Sequence, residues 1–165
     1  MSNLSTDDVA LLRSLPILVA VAAASADRGD GQGSTAEVLA GIRVIAEGAD
    51  GAEANRLVAA AFAAYKADGA GEAELLALSQ FPPGGLYESA LEHCRQAAAR
   101  FGGRQDDWTG LTRWLRDIAG AVVAASAAGG LPGISSLLGI GGERVSQVES
   151  EFVADLALAL GVVGV

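Results

Sequence analysis

The sequence predicts an all-α fold: a single-domain helical bundle of about seven helices. Apolar residues recur at helical spacing along most of the chain, and no segment shows the alternation and the β-branched or aromatic enrichment of a strand. Several helical segments open with serine or aspartate followed three residues later by glutamate, which is a helix-starting pattern. The 165 residues are the size of one domain, and a Phe-Pro-Pro-Gly-Gly break at 81–85 is a candidate boundary between two halves.

The first three helices are placed by their caps and their apolar stripes. A first helix is expected over 6–26, where two aspartates in the first turn interact favourably with the helix dipole. A Ser-Thr-Ala-Glu capping box that ends at Glu37 predicts a second helix over 35–47. An apolar stripe over 57–65 predicts a third helix, with its cap in the Asp-Gly-Ala-Glu sequence at 50–53.

The remaining helices follow from the same signals. A short fourth helix over 72–79 ends before the paired prolines, and a fifth has its apolar face over 87–101 until a glycine pair stops it. A sixth helix over 107–128 has the most regular apolar stripe and is expected to be central in the bundle. A Ser-Gln-Val-Glu capping box at 146–149 opens a last helix that runs to about Leu160.

The two halves of the chain are alike in one respect. Residues 19–45 and 122–156 each contain an Ala/Val-rich helix, a long glycine-rich loop and a capping box that opens the next helix. This match predicts two duplicated helical units around a pseudo-twofold axis. Chance is the competing explanation, because Ala-rich helices and capping boxes are common.

The charge balance limits the classes of partner. Twenty acids against eleven bases give a net charge of −9, which opposes binding to nucleic acid and to anionic membranes. Five arginines in one stretch could form a local positive face, but solvated helix flanks are the favoured interpretation. These arginines are Arg95, Arg100, Arg104, Arg113 and Arg116.

Catalysis is not expected from the reactive side chains. The single cysteine, Cys94, and the single histidine, His93, are neighbours that point about 100° apart on a helix, so they cannot act as a nucleophile and its base. We expect Cys94 to be a core thiol and the protein to have no enzymatic activity. One cysteine cannot form an internal disulfide, and the acidic start of the chain does not look like an export signal, so a cytoplasmic protein is expected.

The glycine-rich loop before the second helix is the candidate cation site. Asp30, the glycine after it and Glu37 match three positions of an EF-hand loop, but its first and third positions hold Ala26 and Arg28, which cannot be ligands. A looser site formed by the carboxylates of Asp27, Asp30 and Glu37 is the remaining metal hypothesis. The competing interpretation is that the aspartates form turns and Glu37 caps a helix. No cofactor is expected beyond a weakly bound divalent cation.

An uncharged segment provides the candidate interface. Residues 118–142 are as long as a membrane span, but glycine and proline interrupt the middle, so a buried helix end plus an apolar loop is favoured. The large aliphatic side chains of that loop must be covered, either by the bundle or by another chain. An exposed tryptophan near the start of the sixth helix would also mark a contact site. The predicted interface residues are Trp108, Leu131, Ile134, Leu137, Leu138 and Ile140.

Six segments carry a resemblance to a known family: LLRSLPILVAVAAAS, GSTAEVLAGIRVIAEG, NRLVAAAF, ALEHCRQAAARF, RWLRDIAGAVVAASA and GGERVSQVESEFVADLALALG. They are similar to the TerB-like helical proteins of the tellurite-resistance-associated class, and the likeness covers most of the chain. The resemblance implies an all-α protein with acidic metal-binding positions at the mouth of the first loop, here Asp27, Asp30 and Glu37. It also implies a stress-response or membrane-surface adaptor. The second loop departs from a paired metal site, because it has no acid before Glu143.

The sequence therefore favours a non-catalytic intracellular binding or adaptor module with a protein partner. The alternative is a self-assembling structural protein that packs through the 131–140 loop and the apolar tail at 158–165. Contact with a membrane surface through the same loop is a less favoured third interpretation.

Overall fold

The computed structural model describes residues 4–26, 35–48, 55–67, 85–128 and 147–162, which contain six α-helices and no strand. The all-α class is confirmed. The predicted helix over 72–79 lies outside the described residues, so the expected total of seven stays a prediction. The six helices are α1 (Thr6–Ser25), α2 (Thr35–Glu47), α3 (Arg56–Ala67), α4 (Gly85–Phe101), α5 (Gln105–Ala128) and α6 (Gln147–Ala159).

α1 occupies the centre of the bundle. It contacts all five of the other described helices, and buried residues lie around most of its circumference. A helix that is apolar on every side becomes a core helix, whereas an amphipathic helix keeps a polar face in solvent. α5, the helix expected to be central, is amphipathic and exposes Arg113, Arg116 and Gly120. It also packs against α1, α2, α3 and α6, so one face of α5 is central in the bundle and the other lies in solvent.

α1 is also the one helix among the described residues that is long and apolar enough to cross a membrane. Its best window has a mean hydropathy of 1.7, and 61% of that window is buried inside the bundle. The core helix of a soluble protein passes the same test of length and composition, so this feature is weak evidence for a span.

α2 crosses α1 and α5 at close range because Gly41 has no side chain. A Cβ atom at this position would lie 2.8 Å from Val122 Cγ2 and 2.9 Å from Ala20 Cβ, well inside the optimal separation of two carbon atoms. Gly48, after the end of α2, lies against the indole of Trp114. Together these contacts show that α2 is antiparallel to α5, with the start of α2 beside the end of α5.

The N-termini of α3 and α5 are joined through Asn55. Its Oδ1 accepts a hydrogen bond from the backbone N–H of Val58 at 3.0 Å, and its Nδ2 donates to the carbonyl of Asp107 at 2.9 Å. The carboxylate of Asp107 accepts from the backbone N–H of Arg56 at 3.2 Å. α3 therefore begins at Arg56 with Asn55 as its cap. The cap predicted at 50–53 was wrong, because Asn55 caps equally well and also has a partner on α5.

α1 begins at a capping box formed by Ser5 and Asp8. Ser5 Oγ accepts from the backbone N–H of Asp8 at 3.1 Å, and the Asp8 carboxylate accepts from the backbone N–H of Ser5 at 3.0 Å. The hydrogen bond from the Ser5 backbone N–H is the largest cause that lowers the pKa of the Asp8 carboxyl, and the Ser5 side chain lowers it further. Arg100 near the end of α4 donates to the same carboxylate at 3.0 Å, which links α4 to the start of α1.

The predicted duplication is not confirmed. α2 packs extensively on α5, but α6, which would be the counterpart of α2, touches α1 only slightly. The two proposed units share one described feature: Glu37 and Glu149, the acids of the two capping boxes, are both buried.

Candidate functional site

The candidate site is a groove between α4 and α6. It is open along the surface of the bundle and has a volume of about 360 Å³. This volume is at the low end of the range for small-molecule sites, about 300–1,000 Å³, and suits a few side chains of a partner. The groove is lined by Glu88, Leu91 and Arg95 of α4 and by Asp155, Leu158 and Ala159 of α6.

Two contacts of Tyr87 hold α6 beside α4. Its ring packs edge to face on the ring of Phe152, with the centroids 5.0 Å apart. Its hydroxyl donates a hydrogen bond to Asp155 Oδ2 at 2.7 Å. An apolar contact and a hydrogen bond from one side chain therefore fix the distance between the two walls of the groove.

The end of α6 is fixed by a Schellman motif. The N–H of Val162 donates to the carbonyl of Ala157 at 2.9 Å, and the N–H of Gly161 donates to that of Leu158 at 3.0 Å. Gly161 has a φ of 69°, a left-handed conformation that glycine adopts without penalty. Leu160 is fully buried and Val162 packs against the core, so this part of the C-terminal tail belongs to the bundle.

Leu158 is the most exposed large apolar side chain of the described residues. It lies on the groove wall with 70% of its surface accessible to solvent. Ala154, one turn earlier on the same side of α6, is also exposed. An aliphatic side chain left in water forgoes about 1.5–3 kcal/mol of burial. The groove therefore offers a partner apolar surface that the bundle itself does not cover.

Acidic groups surround the hydroxyl of Tyr87 beside the groove. Burial raises the pKa of Tyr87, and Asp155, Glu151 and Glu88 raise it further through a hydrogen bond from Tyr87 to Asp155 and through their negative charges. Arg95 is the base on the groove lining. The described residues in and beside the groove thus carry an excess of negative charge.

Cys94 is a core thiol, as predicted. It is fully buried in α4, and burial raises the pKa of its thiol to about 12. His93 Nδ1 lies 2.8 Å from the carbonyl oxygen of Ser89, and this oxygen can only accept, so the hydrogen bond places a proton on Nδ1. Neither Cys94 nor His93 lines the groove.

Glu37 is the one member of the predicted cation site within the described ranges. It is 5% exposed in the first turn of α2, whereas Asp27 and Asp30 lie outside those ranges. Where the structure describes the chain, no three His, Cys, Asp or Glu side chains form a group that could hold a metal ion. The weak cation site therefore stays a prediction.

Of the predicted interface residues, Trp108 lies within the described ranges. Trp108 is half-buried and packs against the core, so it is not a freely exposed side chain. Leu131, Ile134, Leu137, Leu138 and Ile140 lie outside the described part of the chain. The start of α2, with Glu37, is beside the end of α5 near Val122, about 20 Å along that helix from Trp108. Glu37 and Trp108, the described members of the predicted cation site and of the predicted interface, therefore lie far apart.

The clustered arginines flank their helices, in line with the favoured interpretation. Arg100 pairs with Asp8 at 3.0 Å, and the Arg104 guanidinium lies 5.7 Å from the centre of the Phe101 ring. Because Arg100 and Arg104 interact with residues of different helices, they do not form one positive binding face. The other three, Arg95, Arg113 and Arg116, are exposed.

Sequence reasoning missed the groove because it treated 158–165 as one apolar tail. In α6 the buried side is marked by Phe152 and Leu156, and Leu158 follows Leu156 by two positions, about 200° around the helix. The exposure of Leu158 could therefore have been predicted from its position on the polar side of an amphipathic helix. The packing of α6 against α4 could not be predicted, since no pattern of nearby residues specifies it.

Comparison with known proteins gives no match, whether to a family model, a curated protein or a solved structure. The resemblance to TerB-like proteins consequently stays an interpretation of the sequence.

Proposed function

We propose that the chain is a non-catalytic cytoplasmic binding or adaptor module of the TerB-like stress-response type, and that it binds a protein partner at the groove between α4 and α6. The observation that carries the proposal is the exposure of Leu158, which is 70% accessible while Leu156 and Leu160 are fully buried. An apolar surface rimmed by charged groups marks a contact site, and Leu158 and Ala154 form such a surface beside Glu88, Arg95 and Asp155.

The rigidity of the groove supports binding. Tyr87 connects its two walls through the Phe152 ring and the Asp155 carboxylate, and the Schellman motif fixes the end of α6. A preformed site loses less conformational entropy when a partner binds.

The reactive side chains near the groove also support binding over catalysis. With a pKa of about 12, the Cys94 thiol stays protonated at neutral pH and is a poor nucleophile. The Tyr87 hydroxyl donates to Asp155, and its raised pKa opposes loss of its proton. Both groups are structural: the thiol is buried in the core, and the tyrosine hydroxyl joins α4 to α6.

The finer features expected from the sequence belong to the same proposal. A helix over 72–79 would complete a seven-helix bundle, and the units at 19–45 and 122–156 would be duplicated. Weak binding of a divalent cation by the carboxylates of Asp27, Asp30 and Glu37 is the third of these features.

The alternative function is a self-assembling structural protein that packs through the 131–140 loop and the tail at 158–165. Leu158, the first residue of that tail, is the observation that favours it. Leu160 and Val162 count against it, because both are already packed on the core of their own chain.

Site-specific photo-cross-linking in native cells tests the proposal. A photoreactive amino acid is placed at Ala154, on the groove side of α6, and in a second variant at Ala124 on α5; both alanines are exposed on helices. We expect a discrete adduct with another protein from Ala154 and none from Ala124. Adding Leu158→Ser to the Ala154 variant should remove the adduct without unfolding the chain, since a substitution at an exposed site changes stability by about 0.5 kcal/mol or less.

Three results would contradict the proposal. An Ala154 adduct that consists of two copies of the chain would establish the self-assembly alternative. Equal labelling from Ala154 and Ala124 would show unspecific collision, and no Ala154 adduct at native expression would leave the groove without a partner.

A further inference from the structure

We propose that the occupant of the groove is a basic amphipathic helix of a partner protein. This inference rests on the proposed function, because it assigns a chemical class of partner to the same groove. It follows from the shape of the groove, from its apolar residues and from its charge.

The shape favours a helix. α4 and α6 pack side by side, and two neighbouring helices leave a furrow that accepts the side-chain ridge of a third. The apolar part of the lining consists of Leu91, Leu158 and Ala159. Leu91 and Ala159 are already buried by the bundle, so a partner helix with apolar residues at i, i+4 and i+7 would cover Leu158 and the exposed Ala154 one turn before it.

The charge favours a basic partner. Glu88 and Asp155 line the groove, and Glu151 lies one turn before Asp155 on α6. The one lining base, Arg95, has its own acid in Glu92, whose Oε2 is 3.4 Å from Arg95 Nη1. Asp155 and Glu151 accept hydrogen bonds from the neutral side chains of Tyr87 and Gln147, which leave their negative charges in place. These two charges and that of Glu88 would attract lysine or arginine side chains that flank the apolar stripe of the partner.

The same charges disfavour the other occupants. A second copy would bring Glu88, Glu151 and Asp155 towards the same acids of its neighbour, between two chains of net charge −9. An anionic lipid surface would be repelled by the same groups. A basic helix experiences attraction at the groove and also from the whole chain.

Fluorescence anisotropy with designed peptides tests the inference. The probe is a labelled, end-capped helical peptide of about 18 residues, long enough to form a helix, with leucines at i, i+4 and i+7 and lysines beside them. The matched control peptide keeps the leucines and has glutamate in place of every lysine. We expect the full chain to bind the lysine peptide at least tenfold more tightly, and added salt to reduce this difference.

Three variants of the full chain locate the binding. Leu158→Ser should weaken binding of the lysine peptide about tenfold, because it removes the apolar anchor. Glu88→Lys should weaken it several-fold at low salt. Asp117→Lys makes the same charge change at an exposed position on α5 and should leave the affinity within about twofold. Circular dichroism of each variant checks that it is folded.

The outcomes separate this inference from the proposed function. Equal binding of the two peptides, or binding that Leu158→Ser and Glu88→Lys do not change, overturns the basic-helix inference; the Ala154 cross-link would still establish the groove as a binding site. If light scattering shows a dimer that Leu158→Ser converts to a monomer, the occupant is a second copy and the inference is wrong. Failure of both the lysine peptide and the Ala154 cross-link overturns both proposals.

Discussion

Replacing Gly41 by alanine should destabilise the protein, even though alanine is the better helix former. In the middle of a helix this exchange alone stabilises by about 1 kcal/mol. At Gly41, however, the new Cβ would lie 2.8 Å from Val122 Cγ2 and 2.9 Å from Ala20 Cβ. An alanine methyl cannot rotate away and valine has one strongly preferred rotamer in a helix, so α2 itself must move.

The size of the effect follows from these opposing contributions. Overpacking a close-packed core costs about 1–3 kcal/mol, and two stiff neighbours place Gly41 in the upper part of that range. Subtracting the helix-propensity gain leaves a net loss of about 1–2 kcal/mol. For a chain of this size the midpoint of thermal unfolding should fall by about 2–8 °C.

Gly120→Ala is the matched control. Gly120 is also a helical glycine, on α5, but a Cβ there would meet no atom within 4 Å. Only the propensity gain applies, so this variant should melt about 2–4 °C higher than the unmodified chain. Thermal unfolding followed by circular dichroism measures both. Midpoints that move in the same direction in the two variants would show that α1, α2 and α5 do not meet at Gly41 as described.

The remaining predictions concern the end of α6, the buried thiol and the start of α1. Gly161→Ala should lower the free energy of unfolding by about 1 kcal/mol because φ is 69° there, and Gly161→Asn should lower it less; equal losses would argue against a left-handed residue. Burial raises the pKa of Cys94 from 9.0 to about 12, so the folded chain holds the thiol proton more tightly than the unfolded chain does. The resulting contribution to the free energy of unfolding should be complete below pH 9 and should fade as the pH rises towards 12. Urea unfolding at a series of alkaline pH values should therefore show a shallower decline in Cys94→Ala, and an identical slope would place the thiol in solvent. Ser5→Ala should cost about 1 kcal/mol in the same assay through loss of the capping box, and an unchanged value would mean that the first turn of α1 is frayed.

Helix positions were predictable where caps and periodicity agree. The capping box ending at Glu37 predicted α2 from Thr35 to Glu47, and the structure has these bounds. α1 was placed to within one residue at its end. These are local signals, because a cap and a stripe are read from residues that are close in sequence.

The arrangement of the helices was not predictable to the same degree. Asn55 became the cap of α3 because its side chain also bonds the backbone of α5, a contact between residues far apart in sequence. The central place of α1 could have been predicted, because apolar residues lie on every side of that helix. The groove depends on where α6 docks on α4, which Tyr87 and Phe152 determine only once the chain has folded.

A residue-resolved map of peptide binding to the full chain would show directly whether the surface between α4 and α6 is the binding surface. Amide chemical shifts of ¹⁵N-labelled protein are followed while the unlabelled lysine peptide is added. We expect shift changes at Leu91, Arg95 and Leu158, which line the groove, and none at Arg113 and Ala124 on the exposed side of α5. Changes centred on α5, or no changes at saturating peptide, would contradict this expectation.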